Sequence, residues 1–476
     1  MPSPWGEQNH GDRWVMLAGE ARALINRLAR DCQPLTAVTT QIFVGVQTSA
    51  DAIFYLDRLG PGRYRCRPPG SPRPPAYEVE IEDAIMRPLV SGAEAKRYIQ
   101  PSSKTHILFT YAPDEAGTMR LIPEATMRRD YPKAWAHLTH FRCELERREV
   151  KVAADGTETG PVLNDHWYGY VYRKNLDKQD RSKLVLPRIV DRLVAAYDEP
   201  GCVCLDNVDV GGLLIAEGTD PWFLLGILNA PVADFIFCRV SKPFRGNYLS
   251  ANRQFIKDLP IPRADAAAQA PVAALARVLQ RLHTKRRRTL DALARRLNVV
   301  TRARPPEWLF HGLPAAEDFA LNAPASLSAR ERRARSIKLR EAEIARRETA
   351  VGAALRPGAR LSVTLAGGEL ALLSDGVPVL DHVFVTAAES AFVHAVWRRV
   401  AVITTVTERL KGRSLCKLLR SVPLATDPAL VEGVVALAEE LDAAEAEIAV
   451  AETALNEASF TLYGLSVEER AMVLVG

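Results

Sequence analysis

The C-terminal stretch carries the strongest constraint on the fold. Leu430, Val434, Leu437, Leu441, Ala444, Ile448, Ala451 and Leu455 recur at alternating steps of four and three, with glutamates on the positions between. At 3.6 residues per turn that spacing keeps one apolar seam along a helix. The seam runs for nearly four heptads and must pack, either on the chain's own core or against a partner helix. Its acidic outer positions make it a candidate surface for a partner chain.

Charge sets this tail apart. Ala425–Gly476 holds eleven acidic residues and one basic residue, Arg470; with a net charge of +5 overall, the first 424 residues carry a surplus of fifteen. A basic body with a separate acidic tail is compatible with a polyanionic partner. With 47% hydrophobic and 25% charged residues in 476, the chain is long enough for several cores. Met1–Gln33 has no apolar run of signal-peptide type. Trp222–Cys238 is apolar but interrupted by Asn229, Pro231 and Asp234, so no membrane span is expected, and the expected location is cytoplasmic. Seven cysteines, an odd number, favour reduced thiols. Cys202 and Cys204 alternate with Val203 and are expected on one face of a strand rather than on zinc.

Periodicity along the body alternates between helix and strand. Asp12–Cys32 has helical spacing, and Leu35–Arg67 turns strand-like around Ile42, Val44 and Val46. Strands are predicted at Glu78–Ile81, Thr105–Tyr111, Lys183–Ile189 and Cys202–Ile215. Pro123–Glu149 reads as helix, and Pro221 opens another that runs through Val240. Ala266–Pro271 begins a long basic helix that Arg304-Pro305-Pro306 ends. Ser328–Arg347 is crowded with arginine and glutamate, and Leu361–Val385 looks like a short sheet. The expected class is α+β: a mixed α/β domain followed by a helical C-terminal region. The expected divisions are an N-terminal helix and linker (1–34), a mixed α/β domain (35–263), a basic helix with a variable α+β segment (264–425), and the acidic heptad helix with a terminal motif (426–476).

Motifs of self-sufficient catalysis are missing. There is no G-x-G-x-x-G, no P-loop lysine, no H-E-x-x-H and no G-x-S-x-G. The Pro-Pro pairs after Arg67, Arg73 and Arg304 lack the polar and aromatic flanks that an amino-group methyltransferase uses to hold a flipped base. Glu94-Ala-Lys96 has the spacing of two nuclease-triad members, with no Pro-Asp strand before it. No catalytic, cofactor-binding or metal-binding residue is therefore expected.

Basic, aromatic and amide residues do cluster. The strongest cluster is Ser241-Lys-Pro-Phe-Arg-Gly-Asn-Tyr248, followed by Asn252, Arg253, Gln254 and Phe255. Arginine reads guanine edges or clamps phosphate in a bidentate way, and asparagine or glutamine does the same for adenine. Phe244 and Tyr248 could equally anchor such a loop to the core. Lys96-Arg97-Tyr98 and Tyr172-Arg173-Lys174-Asn175 are shorter sets of the same kind, each alternatively a solvated charge run. Arg281–Arg304 holds nine basic residues against Asp291, a candidate for non-specific contact with a polyanion.

The order of these segments resembles the C-terminal specificity (target-recognition) region of TaqI-like adenine-specific DNA methyltransferases and type IIG restriction-modification enzymes. The resemblance rests on Gly45-Val-Gln-Thr-Ser-Ala-Asp-Ala-Ile-Phe54, Leu89–Tyr98, Ile107–Tyr111, Leu121-Ile-Pro123, Tyr131–Trp135 and Trp167-Tyr168. It continues through Lys183–Ile189, Leu224–Asn229, Lys242–Tyr248, Gln254-Phe255 and Leu259–Pro262, and ends with Leu462-Tyr-Gly-Leu465 before Glu468-Glu469. Ser49 stands where the family has a glycine, so that turn is expected to differ. The family's catalytic half would lie before Met1.

The resemblance implies a specificity subunit that reads double-stranded DNA. Methyl transfer from SAM would then fall to a separate methyltransferase subunit, within a restriction-modification or other phage-defence system that could hold further subunits. Arg245, Asn247, Tyr248 and Arg253 are the expected contacts near the bases or adjoining phosphates, with Lys96, Arg97, Arg173, Lys174 and Arg188 toward the backbone phosphates; Tyr98 and Lys242 complete the expected DNA-binding set. A scaffold chain or split-gene remnant without DNA binding, and a nuclease with an unrecognised site, are the alternatives.

Overall fold

The computed structural model describes residues 19–70, 72, 74–152, 157–244, 248–298, 302–303, 309–310, 323–404, 406–407, 410–425 and 427–475. The chain forms two compact units. Residues 1–284 join 447–476 in the first, and 285–446 form the second. Both boundaries fall inside helices, Ala266–Leu297 and Pro428–Leu462.

The first unit is built on two sheets. One has four antiparallel strands in the order Ala196–Asp198, Lys183–Pro187, Val210–Ile215, Thr39–Val44. The other has six, with Cys204–Leu205 parallel to Met86–Val90 at one end and Tyr77–Glu80 at the other. Lys183–Pro187 is buried along its whole length, as its unbroken Leu-Val-Leu run requires of a central strand. Gly45 leads from the edge strand of the first sheet toward Cys204–Leu205. A Cβ there would lie 1.9 Å from the Leu205 carbonyl oxygen, so only glycine lets the chain pass.

Several expected elements change form. Pro221–Val240 is two helices, Pro221–Asn229 and Pro231–Val240, bent by 62°. Pro231 lacks the N–H that would continue the first helix and opens the second instead. Among the described residues no single helix is long and apolar enough to cross a membrane, and this bent pair is core, with Phe223, Ile227, Ile236 and Phe237 at most 1% exposed. Pro123–Glu149 is likewise three short helices, broken at Tyr131-Pro132 and Phe141. Cys202–Ile215 splits between the sheets as Cys204–Leu205 and Val210–Ile215. Cys202 therefore lies outside any strand and exposed while Cys204 is buried, and the two thiols do not share a strand face.

The terminal motif is a clasp. Tyr463 is buried and its hydroxyl donates to the Pro260 carbonyl at 2.8 Å. Arg27 of the helix Gly19–Asp31 holds Glu469 at 2.7 Å and reaches the Tyr463 carbonyl at 3.3 Å. Gln33-Pro34 in turn pairs with Pro260-Ile261. Both ends of the described chain thus close on the Leu259–Pro262 motif.

The second unit packs a three-stranded meander, Leu361–Ala366, Glu369–Ser374 and Val377–Phe384, against the helix Ala387–Ile403 around Trp397 and Val393. The helices Ala329–Ala354 and Gly412–Arg420 cross where Gly412 meets Gly352. A Cβ on Gly412 would lie 2.0 Å from the Glu348 carbonyl oxygen.

The C-terminal seam is consumed internally. Val434, Leu441, Ala444, Ile448 and Leu455 are buried. Glu440, Asp442 and Glu445 pair with Lys285, Arg398 and Arg286, while Glu452 and Glu457 pair with Arg97 and Arg470. The seam is not a free coiled-coil face, because its apolar side is already core and these acids already have cations. The same pairs engage part of the basic run from Arg281; its last member, Arg304, with Pro305 and Pro306, lies outside the described residues.

Candidate nucleic-acid interface

A surface cleft of about 750 Å³ opens along the edge strand Thr39–Val44 of the four-stranded sheet. Ile42, Phe43, Leu186, Leu213 and Ile256 form its apolar lining. Its polar lining among the described residues is Gln41, Asn175, Arg188, Asn252, Arg253, Gln254 and Lys257, a set of cations and amides without a carboxylate. Amides and guanidinium groups around an apolar base are donors and acceptors suited to base edges and phosphates.

Local structure explains how the set assembles. Asn252 precedes the short helix Arg253–Ile256, and the Lys257 N–H donates to the Arg253 carbonyl at 2.9 Å, so the two cations lie one turn apart. Both are exposed. Arg188 is more constrained. Its Nε donates to Asn252 Oδ1 at 2.7 Å, and Nη1 donates to the carbonyls of Asn207 and Val208 at 2.9 and 3.1 Å. It therefore holds the loop and Asn252 in place while keeping further N–H donors. Behind that loop, burial pushes the Asp206 carboxyl upward, and the Tyr55 hydroxyl donates to it at 3.2 Å. Asn175 sits at φ 63°, and its Nδ2 donates to the Val44 carbonyl at 3.0 Å, which brings the exposed Arg173-Lys174 beside the cleft.

The Lys242–Tyr248 segment joins this region through strand pairing, Val190 with Leu249 and Ile189 with Ser250. Arg245 and Asn247 lie outside the described residues. Phe244 and Tyr248 are 64% and 53% exposed, so they do not anchor the loop to the core. Main-chain bonds close the loop on itself, Phe244 N–H to the Tyr248 carbonyl at 2.8 Å and Ser250 N–H to the Lys242 carbonyl at 3.1 Å, and the pairing at Leu249 and Ser250 fastens its base. Lys242 is exposed.

The Lys96-Arg97-Tyr98 set has a different place. Tyr98 is fully buried at φ 55° and stacks on His283 with ring centroids 5.6 Å apart, so it offers no surface to a duplex. Arg97 pairs with Glu452, donates to the Asn229 carbonyl at 3.2 Å and lies over the Tyr98 ring at 4.8 Å. Burial alone would raise the Glu452 carboxyl, but His283 and the Arg97 guanidinium hold it at about 2. These residues are internal fastenings; only Lys96 stays exposed.

Gln41 and Lys257 were not singled out by the sequence. Lys257 had a signal, its four-residue step from Arg253, whereas Gln41 is a single polar residue in a strand. The Glu94 carboxylate accepts from the Ser91 N–H at 2.9 Å, a turn cap rather than part of a nuclease triad. Among the described residues no group of three or more His, Cys, Asp or Glu side chains could hold a metal ion.

The fold is α+β, and within it residues 130–261 match the family described as the TaqI-like C-terminal specificity domain. The matched stretch includes Arg188, Asn252, Arg253, Gln254 and Lys257. Among solved structures, the chain is similar to the type IIL restriction-modification enzyme MmeI, solved in complex with DNA. That similarity has 11% identity and a TM-score of 0.32, covering 53% of this chain and 29% of that one. The chain thus spans under a third of that structure's length. No curated protein matches the chain.

Proposed function

We propose that this chain selects the DNA site for a restriction-modification system, reading a specific duplex sequence through the cleft. Transfer of a methyl group from SAM to an adenine would be carried out by a separate methyltransferase subunit, in a role that serves defence against phage. The observation that carries the reading is the cleft lining of Arg188, Asn252, Arg253, Gln254 and Lys257, residues that all fall inside the specificity-domain match and that have no carboxylate beside them in the lining among the described residues. Arg253, Gln254 and Lys257 are the residues placed to meet DNA, with Arg173, Lys174, Lys242 and Tyr248 flanking. Arg188 positions Asn252 and the loop 207–208.

The test is selection from a randomised duplex pool with the purified chain, followed by sequencing of the bound fraction. A defined motif is expected, with preference lost at one or more positions in Arg253→Ala. Recovery of the pool without enrichment overturns the reading. The partner assignment is tested separately, by co-purification with a SAM-dependent methyltransferase and adenine methylation within the selected motif.

A further inference from the structure

The helix Ala329–Ala354 of the second unit has two unlike halves. In its C-terminal half charges are paired: Glu343 binds Arg346 at 2.7 Å and Arg347 at 2.9 Å, and buried Glu348 pairs with Arg420. The N-terminal half, from Arg330 to Arg340, contains six cations and one acid, Glu331. That acid is committed elsewhere, since its carboxylate accepts from the Ser328 N–H at 2.8 Å and the Ser328 hydroxyl at 2.6 Å in a capping box. Arg330, Arg332, Arg333, Arg335 and Lys338 are all exposed, and none has an ion-pair partner among the described residues.

Such an arrangement is unfavourable for an isolated helix. Arg332, Arg335 and Lys338 recur every three residues along about 9 Å of axis, where like charges repel. They also sit toward the end where the helix dipole is positive. Opposite-charged neighbours would relieve both costs, and the paired C-terminal half demonstrates that solution within the same helix. The exposed Ile337 and Leu339 are two positions apart and face different sides of the helix, so they do not make the continuous apolar face that a lipid surface needs. Four arginines to one lysine favour a ligand with many bidentate oxyanions.

We infer that residues 330–338 form a second, sequence-independent contact to the phosphate backbone of duplex DNA. This inference rests on the DNA-recognition reading of the cleft and adds an anchor outside the specificity domain. The anchor raises affinity and leaves sequence choice to the cleft, because phosphates position a protein without carrying sequence information.

The experiment compares the full chain with Arg332→Gln/Arg333→Gln/Arg335→Gln/Lys338→Gln, binding pooled random-sequence duplexes over a KCl series. Glutamine has similar helix propensity, so unchanged circular dichroism is expected. The log–log salt slope should become shallower by about 0.9 for each phosphate no longer neutralised, with about tenfold or greater loss of affinity at low salt, and the motif selected from a randomised pool should stay the same. An unchanged slope in the variant, with steep salt dependence in both proteins, overturns the inference while leaving the cleft reading intact. Loss of the selected motif in the variant also overturns it, because the helix would then read sequence. Unchanged DNA binding with loss of binding to polyglutamate overturns it in favour of an acidic protein partner. No DNA binding by the unaltered chain removes the cleft reading and this inference together.

Discussion

Two basic–aromatic sets that look alike in sequence have opposite fates in the fold. Arg97-Tyr98 is turned inward, its ring buried against His283 and its guanidinium paired with Glu452. Arg253 and Lys257, with Tyr248 nearby in sequence, remain exposed and line an open cleft; Arg253 has no acid partner among the described residues, and Lys257 has only the neighbouring Asp258 at 3.7 Å. The difference teaches that a cation's value for recognition depends on whether the protein has already supplied its counter-charge. A cation bonded internally stabilises the fold, and one without an acid beside it is available to an external anion.

The largest effect expected from this contrast lies on the internal side. Lys183 and Asp198 form an ion pair at 2.7 Å with side chains 0% and 1% exposed, and the lysine also donates to the Gln179 and Arg181 carbonyls at 2.8 and 3.2 Å. Lys183→Ala would leave a buried uncompensated carboxylate and should cost about 3–5 kcal/mol, read from denaturant unfolding. A loss below about 1 kcal/mol would break the distinction between internal and available cations.

On the cleft side, Arg253→Ala should leave the unfolding midpoint within about 0.5 kcal/mol and weaken binding to the selected duplex by about 1–3 kcal/mol. Titration against that duplex and a scrambled control checks it. A stability loss with unchanged binding would assign Arg253 to the internal class.

Acid titration sharpens the comparison further. Glu452 is held at about 2 in the folded chain, below the ordinary value of 4.5. A depressed carboxyl contributes stability that is complete above its unfolded value and is lost as pH falls from about 4.5 toward 2. Glu452→Gln should therefore flatten the acid side of the stability profile, by about 1–2 kcal/mol after allowance for solvent screening at this partly exposed pair. An acid limb identical to that of the unaltered chain would show that Arg97 contributes packing only.

The smallest effect concerns a turn. Ser49 occupies φ 59°, the left-handed region where a Cβ is disfavoured, and it is exposed. The serine holds a conformation that glycine adopts more readily, at a local cost. Thr48 supports it by donating to Asp51 at 2.5 Å and accepting from the Ala50 N–H at 3.0 Å. Ser49→Gly should stabilise the chain by about 0.5–1 kcal/mol, visible as a small rise in Tm.

Sequence alone was sufficient for features written in local periodicity or in motif order. The helix from Pro428, the meander beginning at Leu361, the buried strand Lys183–Pro187 and the specificity domain were all legible, because apolar spacing and segment order survive without knowledge of partners. Tertiary structure decided everything that depends on what sits opposite. It turned the apolar seam of the last long helix inward, sent Cys202–Ile215 into two sheets, and made Tyr98 a core residue. It also gathered Gln41, Arg188, Arg253 and Lys257 from distant stretches into one cleft. The physical reason is that burial and counter-charge belong to pairs of groups brought together by folding, whereas periodicity belongs to a single segment.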